Sequence, residues 1–197
     1  MNIFFLDYNP EIAAQYLCDA HIRKMGIESV QMLCTAHRVL DGKEYWATSH
    51  KGRRVRRWVL PDARDFVLYH ATHVNHGCSK WVRESIHNYE WLEIHAKTIF
   101  KIWSAKHNKI HKCDAMLNCL PGPPSNIPRD GPTRPYLAMP EEYKVPSTSV
   151  NAYREFYIRG KAHLHKWTYN STPDFIKKSR EIDYDSVKRT LENLAIY

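Results

Sequence analysis

Residues 18–31, CDAHIRKMGIESVQ, decide how the chain is read. At about 100° per residue of α-helix, His21, Lys24 and Glu28 fall within roughly 60° of one another. Gln31 and Thr35 continue the stripe, and Leu17, Met32 and Val39 lie on it above and below. The rest of the circumference carries Ile12, Tyr16, Ala20, Ile27, Val30 and Cys34. A helix apolar nearly all round is buried, and polar groups inside such a helix need partners. Two readings fit the stripe. One is a solvated face with a Lys24–Glu28 pair worth a few tenths of a kcal/mol. The other is a polar well in which His21 and Lys24 hold an anion and Glu28 acts as general base. Asp19 and Arg23, also four apart, point the other way and read as a structural ion pair.

Working outward, Asn9-Pro10-Glu11 is a helix start, with Asn as N-cap and Pro in the first turn. The helix is expected to run from there to about Leu40 and to stop at Asp41-Gly42, where Gly suits a left-handed cap. Before it, residues 2–7 form a short strand or an extended entry. After it, residues 41–60 form a basic loop or short hairpin containing KGRRVRRW (51–58). A helix is expected over 62–71, then a turn, THVNHGC, then a helix over 80–107 capped by Ser79. A short helix near 109–119 follows. The Pro/Gly-rich stretch 120–140 is too irregular for helix or sheet, and its length makes it functional or mobile. Ser147 or Ser149 opens a helix over about 150–167, and the charged tail 173–197 forms a last helix packed on the rest. There is no internal repeat. The expected fold class is therefore mainly α: a compact single catalytic domain over 1–172, with a long N-terminal helix and a long Pro-rich loop.

The chain has 197 residues, enough to bury a core without staples. No run approaches the roughly 18 apolar residues of a membrane span, and MNIFFLDYNPE lacks the basic start of a signal peptide. A cytoplasmic protein is expected, with no membrane partner. Five cysteines, an odd number without CxxC spacing, read as reduced thiols and not as a disulfide framework or zinc site. A net charge of +8 favours a polyanionic partner.

Four further groups carry chemistry. His73, Asn75 and His76 precede a helix N-terminus and read as an anion pocket better than as a metal site, because no third ligand of zinc spacing follows. Asn88, among large apolar neighbours, is a core anchor or a substrate contact. Lys51, Arg53, Arg54, Arg56 and Arg57, ending on Trp58, are a grip for phosphates or a solvated loop. Tyr153, Tyr157 and Lys161, with Arg154 and Arg159 beside them, stack bases and bind phosphate, or form a core face with a basic rim. No phosphate-binding Gly-rich loop, GxSxG, HExxH or zinc-deaminase pattern is present, and no cofactor is expected.

Several stretches together resemble one family. QYLCDAHIRKMGIESVQMLCTAHRVLDG is similar to its signature C-D-x-H-x-x-K-M-x-x-E-S-x-Q-x-L-x-T-A-H. THVNHGCSKWVRESIHNYEWL resembles a second, T-H-x-N-H-x-x-x-x-W-x-R-E-S-x-x-N-Y-x-W-L. HKC (111–113), PPSNIP (123–128), LAMPEEYKV (137–145) and AYREFYIRGKAHLHKW (152–167) resemble the rest. The family is the phage amino acid:DNA transferases, and the likeness covers most of residues 1–167. Gly77 departs from it, standing where Pro is usual, and the basic loop 51–58 is outside the pattern. The resemblance implies a DNA hypermodification enzyme acting in the host cytoplasm during infection. Its substrate is 5-hydroxymethyluracil in double-stranded DNA that a kinase has phosphorylated. The amine of glycine replaces the phosphate or pyrophosphate at the 5-methylene carbon, giving Nα-glycinylthymidine. On that implication His21 and Lys24 bind phosphate with help from His73 and His76, and Glu28 orients or deprotonates the amine. Arg83 or Arg154 clamps the glycine carboxylate. The base flips out and stacks on Tyr153, Tyr157 or Trp81. A base-flipping glycosylase or lyase, with Lys24 as nucleophile, and a non-catalytic DNA-binding protein are the other classes that fit.

Overall fold

The computed structural model describes residues 1–144 and 148–182. Helices dominate: α1 (Pro10–Gln15), α2 (Asp19–Asp41), α3 (Arg64–Val67), α4 (Gly77–Glu84), α5 (Ile86–His107), α6 (Lys112–Asn118) and α7 (Ser149–Glu155). The strands of the described residues are β1 (Lys43–Thr48) and β2 (Arg54–Val59), an antiparallel hairpin in register from Lys43↔Val59 to Thr48↔Arg54. The fold class is mainly α. Among the described residues no helix is long and apolar enough to cross a membrane.

The expected helix over 10–40 is two helices. Asn9 caps α1 as read, its side chain accepting from the Glu11 and Ile12 N–H groups. The chain then turns at Tyr16, and Cys18 is extended (φ −71°, ψ 164°). Residues far downstream hold the break open. The Cys18 N–H donates to the Tyr157 hydroxyl at 2.9 Å, the Asp19 N–H to the Lys166 carbonyl at 2.8 Å, and the Trp167 indole to the Tyr16 carbonyl at 3.1 Å. The Asp19 carboxylate accepts from the Thr168 N–H at 2.7 Å and hydroxyl at 2.9 Å, so it does not pair with Arg23. The quoted stretch therefore opens a helix; it is not the middle of one.

Helix α2 packs along α5. At their crossing, a Cβ added at Gly26 would lie 2.6 Å from Phe100 Cε1, so glycine is what lets the helices approach. Leu33, Met32, Leu92, Ile99 and Tyr89 fill the buried interior. Gly42 follows α2 with extended backbone (φ −93°, ψ 160°), not the expected left-handed one. Its value is room: a Cβ would collide with the Arg38 and Val59 carbonyls. Arg38 itself is buried and donates to the carbonyls of Tyr69, Trp58, Asp65 and Leu68 and to the Asp65 carboxylate. That one side chain ties α2 to β2 and to the 60–69 segment.

Other boundaries also shift. The helix expected over 62–71 shrinks to α3. The helix expected over 80–107 is split at Ser85, whose side chain caps α5; Ser79 is buried inside α4, which His76 caps. Thr148 caps α7, and the helix expected to reach 167 relaxes into a π-helical turn, Phe156–Gly160, and a 3₁₀ turn, Ala162–Leu164. Residues 120–140 carry no helix or strand, as expected, but they are pinned. The Asp41 carboxylate accepts from the Ser125 and Asn126 N–H groups at 3.0 Å each, and the Ser85 hydroxyl donates to the Asp130 carbonyl at 2.7 Å. In the tail, 174–182 is helical, with Ile176 buried and Phe175 edge-on to Tyr16; the remainder, 183–197, lies outside the described residues.

Candidate active site

Two clusters distant in sequence meet on the outer side of α2. Lys24 and Glu28 pair at 3.2 Å, Lys24 largely exposed and Glu28 largely covered. The other Glu28 oxygen accepts the Asn2 N–H at 2.9 Å, and the Asn2 side-chain amide donates to the Ala138 carbonyl at 2.7 Å. Two turns along, Thr35 extends the stripe as read: its hydroxyl accepts the Thr72 N–H at 3.1 Å. This bond brings the 72–76 turn to α2. His73, beside it, has φ 48° and takes a 2.8 Å hydrogen bond between its Nδ1 and the Thr72 hydroxyl. A bulky residue held in the left-handed region costs on the order of 1 kcal/mol or more, so the turn must be stabilised by its surroundings. The His76 N–H closes it onto the His73 carbonyl at 2.9 Å.

His76 is the electrostatic centre of the cluster. Burial lowers its pKa first, the positive charges of the Met1 amine and His73 lower it further, and the Glu28 carboxylate opposes them. Its ring lies 6.2 Å from Tyr136, roughly edge-on. The outcome is a polar patch of two cations, Lys24 and the Met1 amine, one carboxylate and two imidazoles, floored by the N-terminal segment and segment 136–138. Asn2 and Tyr136 had no signal in the sequence; only the folded chain brings them in. Asn75 is exposed beside the patch. Among the described residues no three His, Cys, Asp or Glu side chains are grouped to hold a metal ion. All five cysteines are free thiols, four of them buried.

His21 does not join the patch as a cation. It is buried, stacked on Phe4 at 4.1 Å and bonded through Nδ1 to the Tyr157 hydroxyl at 2.6 Å. That hydroxyl also accepts the Cys18 N–H, and the Cys18 thiol lies 3.5 Å from the same Nδ1, so the ring is tied to the start of α2. Burial, then the charges of Lys161 and Lys24, push the His21 pKa down to about 3. The stripe thus divides: its first member is core, and its Lys24–Glu28 part is surface.

Other expectations are corrected likewise. Arg83 donates to the Val74 and Ser79 carbonyls, and Arg154 to the Leu6 carbonyl and the Asp7 carboxylate, so both tie loops down. Tyr153 and Tyr157 are buried and offer no face to a base; Tyr153 donates to the Tyr136 carbonyl at 2.7 Å. Lys161 lies over the Phe156 ring at 4.8 Å. Asn88 is a core anchor: its amide donates to the Trp81 carbonyl and the Thr133 hydroxyl and accepts the Thr133 N–H. Trp81 does line open space, a cavity of about 380 Å³ walled also by Phe5, Tyr8, Trp91 and His87.

The basic segment forms the tip and second strand of the hairpin. Lys51 and Arg53 sit at the turn, where Gly52 has φ 72°. Arg54 lies 4.2 Å over the exposed Trp46, and Arg56 pairs with Glu44 at 3.4 Å. Alternation puts Arg54 and Arg56 on one face with Trp46, and Arg57 on the other with Tyr45. No family model matches the chain, and comparison with curated proteins and with solved structures returns no match.

Proposed function

We propose that this chain is a DNA-modifying transferase that replaces the phosphate or pyrophosphate of phosphorylated 5-hydroxymethyluracil in double-stranded DNA with glycine. The observation that carries the reading is that the Glu28 carboxylate, paired with Lys24 at 3.2 Å, acts on His76, which His73 also acts on, so two segments distant in sequence share one polar patch. Two signature stretches that resemble the amino acid:DNA transferases supply those four residues. The exposed cations of the hairpin support a polyanionic partner.

In this reading the glycine ammonium gives a proton to Glu28. The amine nitrogen then bonds to the 5-methylene carbon as the C–O bond to the phosphate breaks. The electron pair leaves with the phosphate, whose charge Lys24 and the imidazoles of His73 and His76 stabilise. His21 serves as a neutral positioning residue beneath the patch and not as a phosphate ligand.

The test is a nucleoside mass measurement. Duplex DNA containing kinase-phosphorylated 5-hydroxymethyluracil is incubated with the protein and glycine, then digested. A nucleoside carrying glycine is the expected product, falling at least 100-fold in yield with Glu28→Gln or Lys24→Ala at unchanged circular dichroism. An unchanged nucleoside profile with every one of the twenty amino acids overturns the proposal. An abasic product would instead establish a glycosylase.

A further inference from the structure

We infer that a cationic cleft at the N-terminal end of α2 is a phosphodiester-binding site that grips duplex DNA about one helical turn from the hairpin. The inference rests on DNA being the partner of the proposed transferase. The cleft, about 540 Å³, is lined by Arg23 of α2, Lys106 and His107 from the last turn of α5, and His163 and Lys166 from the segment after α7. One acid, Asp19, borders it, and its oxygens are already taken by Thr168. Arg23, His163 and Lys166 are exposed, and Arg23 makes no ion pair among the described residues. Lys106 and His107 are held in place, by the Thr168 carbonyl at 3.1 Å and the Tyr169 hydroxyl at 2.9 Å. Three permanent cations around a concavity, with the oxygens of the one bordering carboxylate engaged by Thr168, fit a phosphate and not a neutral ligand.

The fold sets the spacing. Helix α2 has 23 residues, and at ~1.5 Å each it is about 34 Å long. The cleft is at its start and the hairpin is rooted at its end, two residues past Asp41. One turn of B-DNA is about 34 Å. Arg23 and Lys24 are neighbours in α2 and about 100° apart around it, so the cleft and the Lys24–Glu28 patch adjoin on different sides of the same helix.

Fluorescence anisotropy with labelled duplexes of 8 and 20 base pairs, across a salt series, tests this. The proteins compared are the full chain, a cleft variant (Arg23→Ala, Lys106→Gln, Lys166→Ala) and a hairpin variant (Arg53, Arg54, Arg56 and Arg57 to Ala). Loss of three phosphate contacts should lower the salt slope of the cleft variant by about 2.7 and abolish the preference for the longer duplex. Single Arg23→Glu, on an exposed side chain, should weaken the 20-base-pair duplex at least fivefold without touching the fold. If the cleft variants bind that duplex like the unaltered protein while the hairpin variant does not, the cleft proposal is overturned and DNA binding stands. If the unaltered protein binds neither duplex at low salt, both fall.

Discussion

His95 should destabilise this protein, and replacing it should help. It sits on α5, completely buried, stacked on Trp91 at 5.0 Å, and neither ring nitrogen has a hydrogen-bond partner among the described residues. Burial alone pushes its pKa from 6.5 down to about 3. A buried unsatisfied polar group costs about 1–3 kcal/mol. His95→Leu removes that cost and keeps an apolar side chain of similar reach, so a gain of about 1–2 kcal/mol is expected at pH 7. The pH dependence follows from the same burial. Between pH 6.5 and about 3 the unfolded chain binds a proton at His95 that the folded chain does not, so stability falls as the pH falls. At pH 5 the loss from this one residue is about 2 kcal/mol. The advantage of His95→Leu should therefore grow to about 3–4 kcal/mol at pH 5. Urea unfolding of both proteins at the two pH values measures it. His21 and His37, lowered to about 3 and about 4, add acid sensitivity to both proteins and cancel in the difference. Equal pH dependence of the two proteins, or a net loss of stability at pH 7, would refute the reasoning.

Two other substitutions probe how the candidate site is held. Tyr157→Phe strips the hydroxyl shared by Cys18 and His21, leaving the buried Cys18 N–H without a partner and His21 Nδ1 with only the Cys18 thiol at 3.5 Å; about 1–3 kcal/mol should be lost, seen as a fall in Tm of about 3–10 °C, and a shift under about 2 °C would argue against the shared bond. Gly26→Ala gains about 1 kcal/mol of helix propensity but drives a methyl to 2.6 Å from Phe100, so chemical denaturation should show a net loss of about 1–3 kcal/mol; a stabilised variant would mean α2 and α5 are less tightly packed than described.

The residues that failed to announce their roles share a physical trait. Caps and hairpins are local: Asn9 and its first turn were legible in the sequence, and the hairpin of 43–59 was one of the two forms, loop or short hairpin, that it allowed. The break at 16–18 is not local, because its hydrogen bonds come from Tyr157, Lys166 and Trp167, some 140–150 positions away. Spacing therefore made one helix of two. The same distance effect splits the polar stripe. Helical periodicity places His21, Lys24 and Glu28 on one side, but it cannot say where along that side another segment lies down. Phe4 and Tyr157 lie over His21 and make it core, while Asn2 reaches Glu28 only through its backbone and leaves Lys24 in solvent. Tyr153 and Tyr157 show the converse: their four-residue spacing with Lys161 is equally a core face with a basic rim, and burial decides for the core. Periodicity did place Thr35 on the stripe, and the folded chain uses it to hold Thr72, a pairing that spacing along one helix does not contain. A stripe that holds a distant turn against its own carboxylate is built to bring charges together. That juxtaposition, more than any single residue, gives the proposed chemistry a place to occur.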